Sequence, residues 1–309
     1  MVSTRTTARV LLVLALFGLG VGTAAATPDP GPIKPPKPKP KPPPSPIMRI
    51  VFPVLGSAEF SDDFGAPRPQ GPHQGIDILA PRHALALAVE PGRVRFYTGS
   101  SRAGCMLYLD GASGTTYLYI HLNNDLTERN DNRGSCVNGV AFPRGLKSGA
   151  RVAAGQPVGF VGDSGDADGV HPHLHFERHP HGGRATNPYR YLLAARRLLF
   201  YQPPGLTFSL ALSGSVVAAT DGSLRLRINT LRAFPQALTL RRLDRPLTVT
   251  VPEYATIERG TSGSSATLSG AKRGERVTVW TEPALVTPEA QFGKASVISA
   301  ERIVLPASP

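Results

Sequence analysis

The chain has 309 residues, a net charge of +12 and only two cysteines. That length suits two modest domains. The charge favours polyanionic surroundings, and the distance between Cys105 and Cys136 excludes a zinc knuckle.

Residues 1–26 have the pattern of a secretory signal. Arg5 and Arg9 make a basic start, Val10 to Gly22 an apolar run, and Ala24-Ala25-Ala26 a small-residue cleavage site. The run is too short for a comfortable membrane span, so stable insertion of the mature chain is not expected; an uncleaved N-terminal anchor is the alternative. The predicted localisation is therefore secreted and extracytoplasmic. Export points the positive charge toward an anionic cell wall or its polymers and argues against nucleic acid as a partner. Residues 27–48 are rich in Pro and Lys and cannot pack a core. In polyproline II geometry, about twenty such residues at ~3.1 Å each give a spacer of roughly 60 Å.

Residues 49–200 form the first predicted folded unit. Short β-rich runs alternate with Gly and Pro turns, as in Cys105 to Leu109, Thr115 to Ile120 and Pro157 to Gly162, and argue for an antiparallel β domain. A helix is expected to close it: Asn187 can cap, Pro188 suits the first turn, and Tyr191, Leu192, Ala195, Leu198 and Leu199 have helical spacing. In an exported chain Cys105 and Cys136 read as one disulfide, with two unpaired buried thiols as the alternative. Closing a loop of about 32 residues would contribute roughly 3–4 kcal/mol on the chain-entropy model. After Pro203-Pro204-Gly205, residues 201–309 show alternation at Leu224 to Ile228, Leu247 to Val251 and Arg276 to Trp280. These predict a small β-barrel of five or six strands, with no helix signal.

All eight histidines lie between His73 and His181. In His173-Leu174-His175 two imidazoles are two residues apart, so on a strand they share a face. In His73-Gln74-Gly75-Ile76-Asp77, Gly75 and Ile76 disfavour a helix, and on an extended segment His73 and Asp77 also share a face. Two imidazoles and a carboxylate make a three-ligand zinc site with a fourth position for water, the arrangement of a catalytic rather than a structural metal. His121, at the end of the strand Tyr117 to Ile120, and His173 are candidates for the general base and the oxyanion stabiliser.

The spacing of His73-x-x-x-Asp77, Tyr119-Ile120-His121-Leu122 and His173-Leu174-His175-Phe176-Glu177 resembles the lysostaphin-like (LytM-type) zinc endopeptidases. The resemblance runs over about residues 52–193 and includes Asp63-Phe64-Gly65, Gly162-Asp163-Ser164-Gly165 and Asn187-Pro188. It implies a mostly β fold, an antiparallel sheet with a groove and zinc at its floor, and cleavage of peptide bonds in bacterial peptidoglycan. It assigns His73, Asp77 and His175 to the metal and His121 and His173 to catalysis. A non-enzymatic wall-binding or activator protein of cell-wall hydrolases is the alternative. Some relatives carry a tyrosine upstream of the first ligand; here Pro67-Arg68 stands there, so Arg68 is carried as a substrate contact, with Asn123 beyond the catalytic His121. The stretch Asn123 to Pro143 is an insertion expected to form a groove wall pinned to Cys105. His171 replaces a small residue and is given no role; His83, His179 and His181 are expected to be surface residues.

Overall fold

The computed structural model describes residues 49–235, 238–241, 243, 245–260 and 264–307. The predicted signal (1–26) and linker (27–48) lie outside the described residues. The fold is mostly β, as the alternation predicts.

The first sheet has six strands: β1 (Ile76–Leu79), β2 (Gly92–Ser100), β3 (Gly104–Gly111), β4 (Thr115–Leu122), β5 (Arg151–Val152) and β6 (His173–Pro180). Their order across the sheet is β1-β6-β4-β3-β2-β5, and every pair is antiparallel. One face covers a core of Ile76, Ile78, Leu107, Leu109, Tyr117, Tyr119, Leu174 and Phe176, all fully buried. Each large apolar side chain removed from water in this way contributes about 1.5–3 kcal/mol. The Tyr119 hydroxyl accepts from the Val89 N–H at 3.0 Å and donates to the Leu87 carbonyl at 2.9 Å, so its polar end is satisfied inside the core. Because side chains alternate, β6 turns Leu174 and Phe176 into this core and His173, His175 and Glu177 to the other side.

The Cys105–Cys136 disulfide is formed. It ties the insertion to β3, and Phe142 at the insertion's end stacks on Phe96 at 3.8 Å. A buried ion cluster braces the same region: Arg82 donates to both oxygens of Asp163 at 2.6 and 2.7 Å and to Asp125, whose other oxygen accepts the N–H groups of Asp131 and Asn132 at 2.7 Å each.

The predicted closing helix is shorter than its spacing suggests: α1 spans Tyr189–Ala194 only. Asn187 accepts from the Tyr189 N–H at 2.8 Å, one residue ahead of the cap position, which Pro188 takes. The helix stops because Arg196 is drawn into backbone pairing with Ile50 and Phe52, which outweighs helical propensity. Leu199 and Phe200 then enter the core of the following sheet rather than the first.

That second sheet carries β7 (Thr207–Thr220), β8 (Ser223–Phe234), β9 (Leu247–Thr250), β10 (Arg276–Thr281) and β11 (Ala300–Leu305). Pairing runs β9-β8-β7-β10-β11, and Thr250 bridges back to Ser299 beside β11, so the five strands come round on themselves. The alternation predicts a barrel of five or six strands; the sheet that forms has nine among the described residues, because short runs with little alternation, such as Thr256–Arg259 beside β11, pair in as well. A one-turn helix, α2 (Pro288–Gln291), was not anticipated; four residues leave no periodic signature, and its cap is Thr287, which accepts from the Ala290 N–H. Among the described residues no helix is long and apolar enough to cross a membrane.

Candidate metal centre

Pairing in the first sheet brings the dispersed motif residues together. His175 lies opposite Asp77 across the β6–β1 ladder and opposite Ile120 on β4. His73 precedes β1 on the extended segment that the Gly75-Ile76 pair permits. Gly75 is also a packing requirement: a Cβ there would lie 2.6 Å from the Phe176 carbonyl oxygen and 2.8 Å from His175 Nε2.

Three atoms meet. His73 Nε2 is 3.1 Å from Asp77 Oδ1 and 2.9 Å from His175 Nδ1, and His175 Nδ1 is 3.0 Å from Asp77 Oδ1. His73, Asp77 and His175 form the one ligand cluster of this kind among the described residues. Their protons can be assigned from their other partners. His73 Nδ1 faces the Asp63 carbonyl at 3.0 Å, an acceptor, so Nδ1 holds the proton and Nε2 is a bare lone pair. His175 Nε2 faces Glu177 Oε1 at 2.9 Å, so Nδ1 is bare as well. Two lone pairs and a carboxylate oxygen thus converge with no proton among them, which calls for a cation. The triangle they make has its centre about 1.7 Å from each corner, inside the ~2.0–2.2 Å ligand distances of zinc, so all three atoms reach a single ion.

Electrostatics agree. Burial disfavours the Asp77 carboxylate, but His175, His173 and His73 around it outweigh that and hold its pKa well below the usual range. Without a cation the cluster traps a proton instead: burial opposes the His175 imidazolium, yet Asp77 and Glu177 on either side raise its pKa to about 9. Glu177 is buried, which pushes its pKa up, but hydrogen bonds from His175 and His179 bring it down to about 2. His179 donates to Glu177 at 2.6 Å and to the Gly183 carbonyl at 2.8 Å. Both partners only accept, so both ring nitrogens carry protons, and Glu177 raises its pKa. His179 is therefore no idle surface residue; it neutralises the carboxylate that orients His175.

His121 and His173 flank the cluster, with ring centroids 5.2 Å apart. His121 sits in a bulge where β4 pairs irregularly with β3, at φ 60°, a conformation that non-glycine residues rarely adopt. Its Nδ1–H donates to the Ser164 carbonyl at 2.8 Å, and Ser164 Oγ accepts the Cys105 N–H at 2.9 Å, so Ser164 fixes both strand ends. Burial, then the neighbouring His173, lower the His121 pKa to about 4. The ring is neutral near pH 7, with its Nε2 lone pair free. His173 donates Nδ1–H to the His171 carbonyl at 2.9 Å and holds Nε2 3.8 Å from Asp77 Oδ1. These groups line a groove of about 780 Å³ whose rim includes Gln70, Leu79, Arg102, Asp166 and His171. Asp166 Oδ1 lies 3.7 Å from His121 Nε2.

Arg68 lines the groove and is also tied to the cluster. It donates to Asp77 Oδ2 at 2.9 Å and Asp63 Oδ2 at 3.2 Å, occupying the carboxylate oxygen that the cluster leaves free. Asn123 does not reach the groove. It is 1% exposed, and its amide donates to the Asp125 and Val140 carbonyls. Nor does the insertion form a groove wall: among the described residues, none from 123–143 lines the groove. The short loop from His121 into the Arg82 cluster turns this segment inward. Sequence reading missed Asp63, Ser164, Asp166, Glu177 and His179. Glu177 carried a usable signal, since it shares the β6 face with His173 and His175; the others act through backbone oxygens or distant pairings.

No family model matches the chain. Among solved structures it is similar to the catalytic domain of the antimicrobial peptidase lysostaphin from Staphylococcus simulans, at 21% identity and a TM-score of 0.33, covering 45% of this chain and 92% of that domain. The catalytic domain of a prophage-encoded M23 protein from Enterococcus faecalis gives 28% identity and a TM-score of 0.34, covering 46% of this chain and 97% of that one. A protein from Pseudomonas aeruginosa assigned to peptidase M23 gives 22% identity and a TM-score of 0.34, covering 48% of this chain; the chain spans about half, 52%, of that protein's length.

Proposed function

We propose that the chain is an exported zinc metalloendopeptidase that hydrolyses peptide bonds of bacterial peptidoglycan. The observation that carries this reading is the convergence of two bare imidazole nitrogens and a carboxylate oxygen at about 3 Å from one another, beside a neutral histidine in a groove. His73, Asp77 and His175 would hold the ion. Bound there, zinc would polarise the scissile carbonyl and acidify the attacking water. His121 Nε2 takes the proton of that water, and Asp166 stands close enough to stabilise the imidazolium so formed. His173, held by the His171 carbonyl, turns Nε2 toward the cluster, and it can donate from that nitrogen to a developing oxyanion only with both ring nitrogens protonated. Arg68 keeps Asp77 oriented. The leader pattern and the +12 charge support action outside the cytoplasm, on a polyanionic wall.

The test is a zymogram on purified walls with and without chelator, followed by mass spectrometry of the released fragments. Chelator-sensitive clearing with new amino and carboxyl termini within wall peptides is expected. Wall binding without any bond cleavage, at full zinc occupancy, overturns the enzyme reading in favour of an activator.

A further inference from the structure

The outer face of the second sheet has no role in the metal centre, yet its composition is directed. Along β8 the inward positions Leu224, Leu226, Ile228, Leu231 and Ala233 are buried, while Arg225, Arg227, Asn229 and Arg232 are exposed. Strand pairing arranges these outward groups in rows. Ser215 on β7 is registered with Arg227 on one side and Arg276 of β10 on the other. Two steps of the pleat away on the same face, Ala211 is registered with Arg232 and Trp280, and Trp280 with Arg302. At the usual ~4.8 Å between strands, Arg227 and Arg276 stand about 10 Å apart across a small residue, and the two rows are about 13 Å apart along the strands. A bulge after Ser213 adds Asn229 to this face.

The result is a groove of about 610 Å³ lined by Arg276, Arg302, Trp280, Asn229 and Glu258 over a floor of Ser213 and Gly214. Arg302 lies over the Trp280 ring at 5.3 Å and pairs with Glu258 at 2.7 Å, so the carboxylate lining this groove is already neutralised. Arg276 lines this groove, while Arg225 and Arg227 stand outside it on the neighbouring strand β8; among the described residues none of the three has an acidic partner. An unpaired guanidinium in a trough of small side chains, with an aromatic ring in the same trough and further unpaired guanidinium groups on the adjacent strand, suits a chain of saccharide rings that bears anionic groups. The sugar face packs on Trp280, and the arginines take carboxylate, phosphate or sulfate in bidentate fashion. We propose that this face of the barrel is a binding site for an anionic polysaccharide. It is independent of the metal centre.

Trp280 is the sole tryptophan of the chain, so its fluorescence reads the site directly. The full-length protein is titrated with dextran sulfate and with unmodified dextran of the same length in physiological salt. A saturable change in Trp280 emission with dextran sulfate and none with dextran is expected. It should persist in chelator, which separates this site from the proposed peptidase activity. Arg227→Ala with Arg276→Ala should weaken binding about tenfold while leaving the melting temperature unchanged. Arg129→Ala with Arg133→Ala, which removes equal charge from the insertion, should bind within twofold of wild type. The proposal is overturned if dextran sulfate co-sediments with the protein without altering Trp280, or if the Arg227/Arg276 variant binds as tightly as wild type. It is equally overturned if poly-L-glutamate or a single-stranded oligonucleotide binds as well as dextran sulfate, or if dextran sulfate does not bind.

Discussion

His175 donates its Nε2–H to Glu177 at 2.9 Å, and that one bond decides which of its nitrogens faces Asp77. A neutral imidazole has a single N–H, so fixing it on the Glu177 side leaves Nδ1 as the ligand. Glu177→Gln keeps the shape but removes the charge and sets an amide N–H₂ against the donors of His175 or His179. Zinc affinity should fall about 10- to 100-fold with the fold intact, measured by competition with a chromophoric chelator.

His121 and His175 should separate under mutation. His175→Ala removes a ligand, so bound zinc by elemental analysis and wall hydrolysis are both expected to vanish. His121→Ala should keep zinc near stoichiometric while hydrolysis drops about 10²- to 10⁴-fold. Full activity in His121→Ala would remove that ring from the mechanism.

The pH dependence of stability follows from His121. Its pKa is about 4 when folded, against about 6.5 in an unfolded chain. Between those values the unfolded state binds the extra proton, so acidification favours unfolding. The contribution is fully present above about pH 6.5, is lost as the pH falls through about 4, and is on the order of 3 kcal/mol at most. Urea midpoints of chelator-treated protein at pH 7 and 4.5 should show a smaller acid loss for His121→Asn than for wild type.

Arg82 sits between two carboxylates whose side chains are fully buried. Replacing it by Met leaves Asp125 and Asp163 buried without their cation. A loss of about 3–5 kcal/mol is expected in denaturant unfolding, far more than any surface ion pair would cost.

Reducing the Cys105–Cys136 bond frees a loop spanning 31 positions. Stability should fall by roughly 3–4 kcal/mol, read from the denaturation midpoint with and without reductant. Because the insertion does not line the groove, cleavage by the residual folded protein should be unchanged per molecule.

The site was legible where chemistry follows strand periodicity. His173 and His175 alternate with Leu174 and Phe176, and that spacing alone sets imidazoles on one side and core on the other. His73 and Asp77 were legible for the same reason. The Arg82 cluster was not, because its partners are 43 and 81 residues away and no local pattern links them. Asn123 misled because adjacency to His121 says nothing about direction, and the chain turns inward at that point. Leu198 and Leu199 suggested more helix than forms, since helical spacing cannot foresee that Arg196 pairs with Ile50 and Phe52.

That pairing has a practical corollary. The Leu199 N–H bonds to the Gln291 carbonyl at 2.6 Å, Gln202 donates to the Phe234 carbonyl at 2.6 Å, and the Arg196 guanidinium covers Phe292 at 3.6 Å. The proline-rich punctuation at 203–205 invites dissection there, but scissors placed at that spot would strip the barrel of Leu199 and Phe200 and leave both greasy residues hanging from the other fragment. Anyone wishing to express either half alone should expect to redesign this seam first.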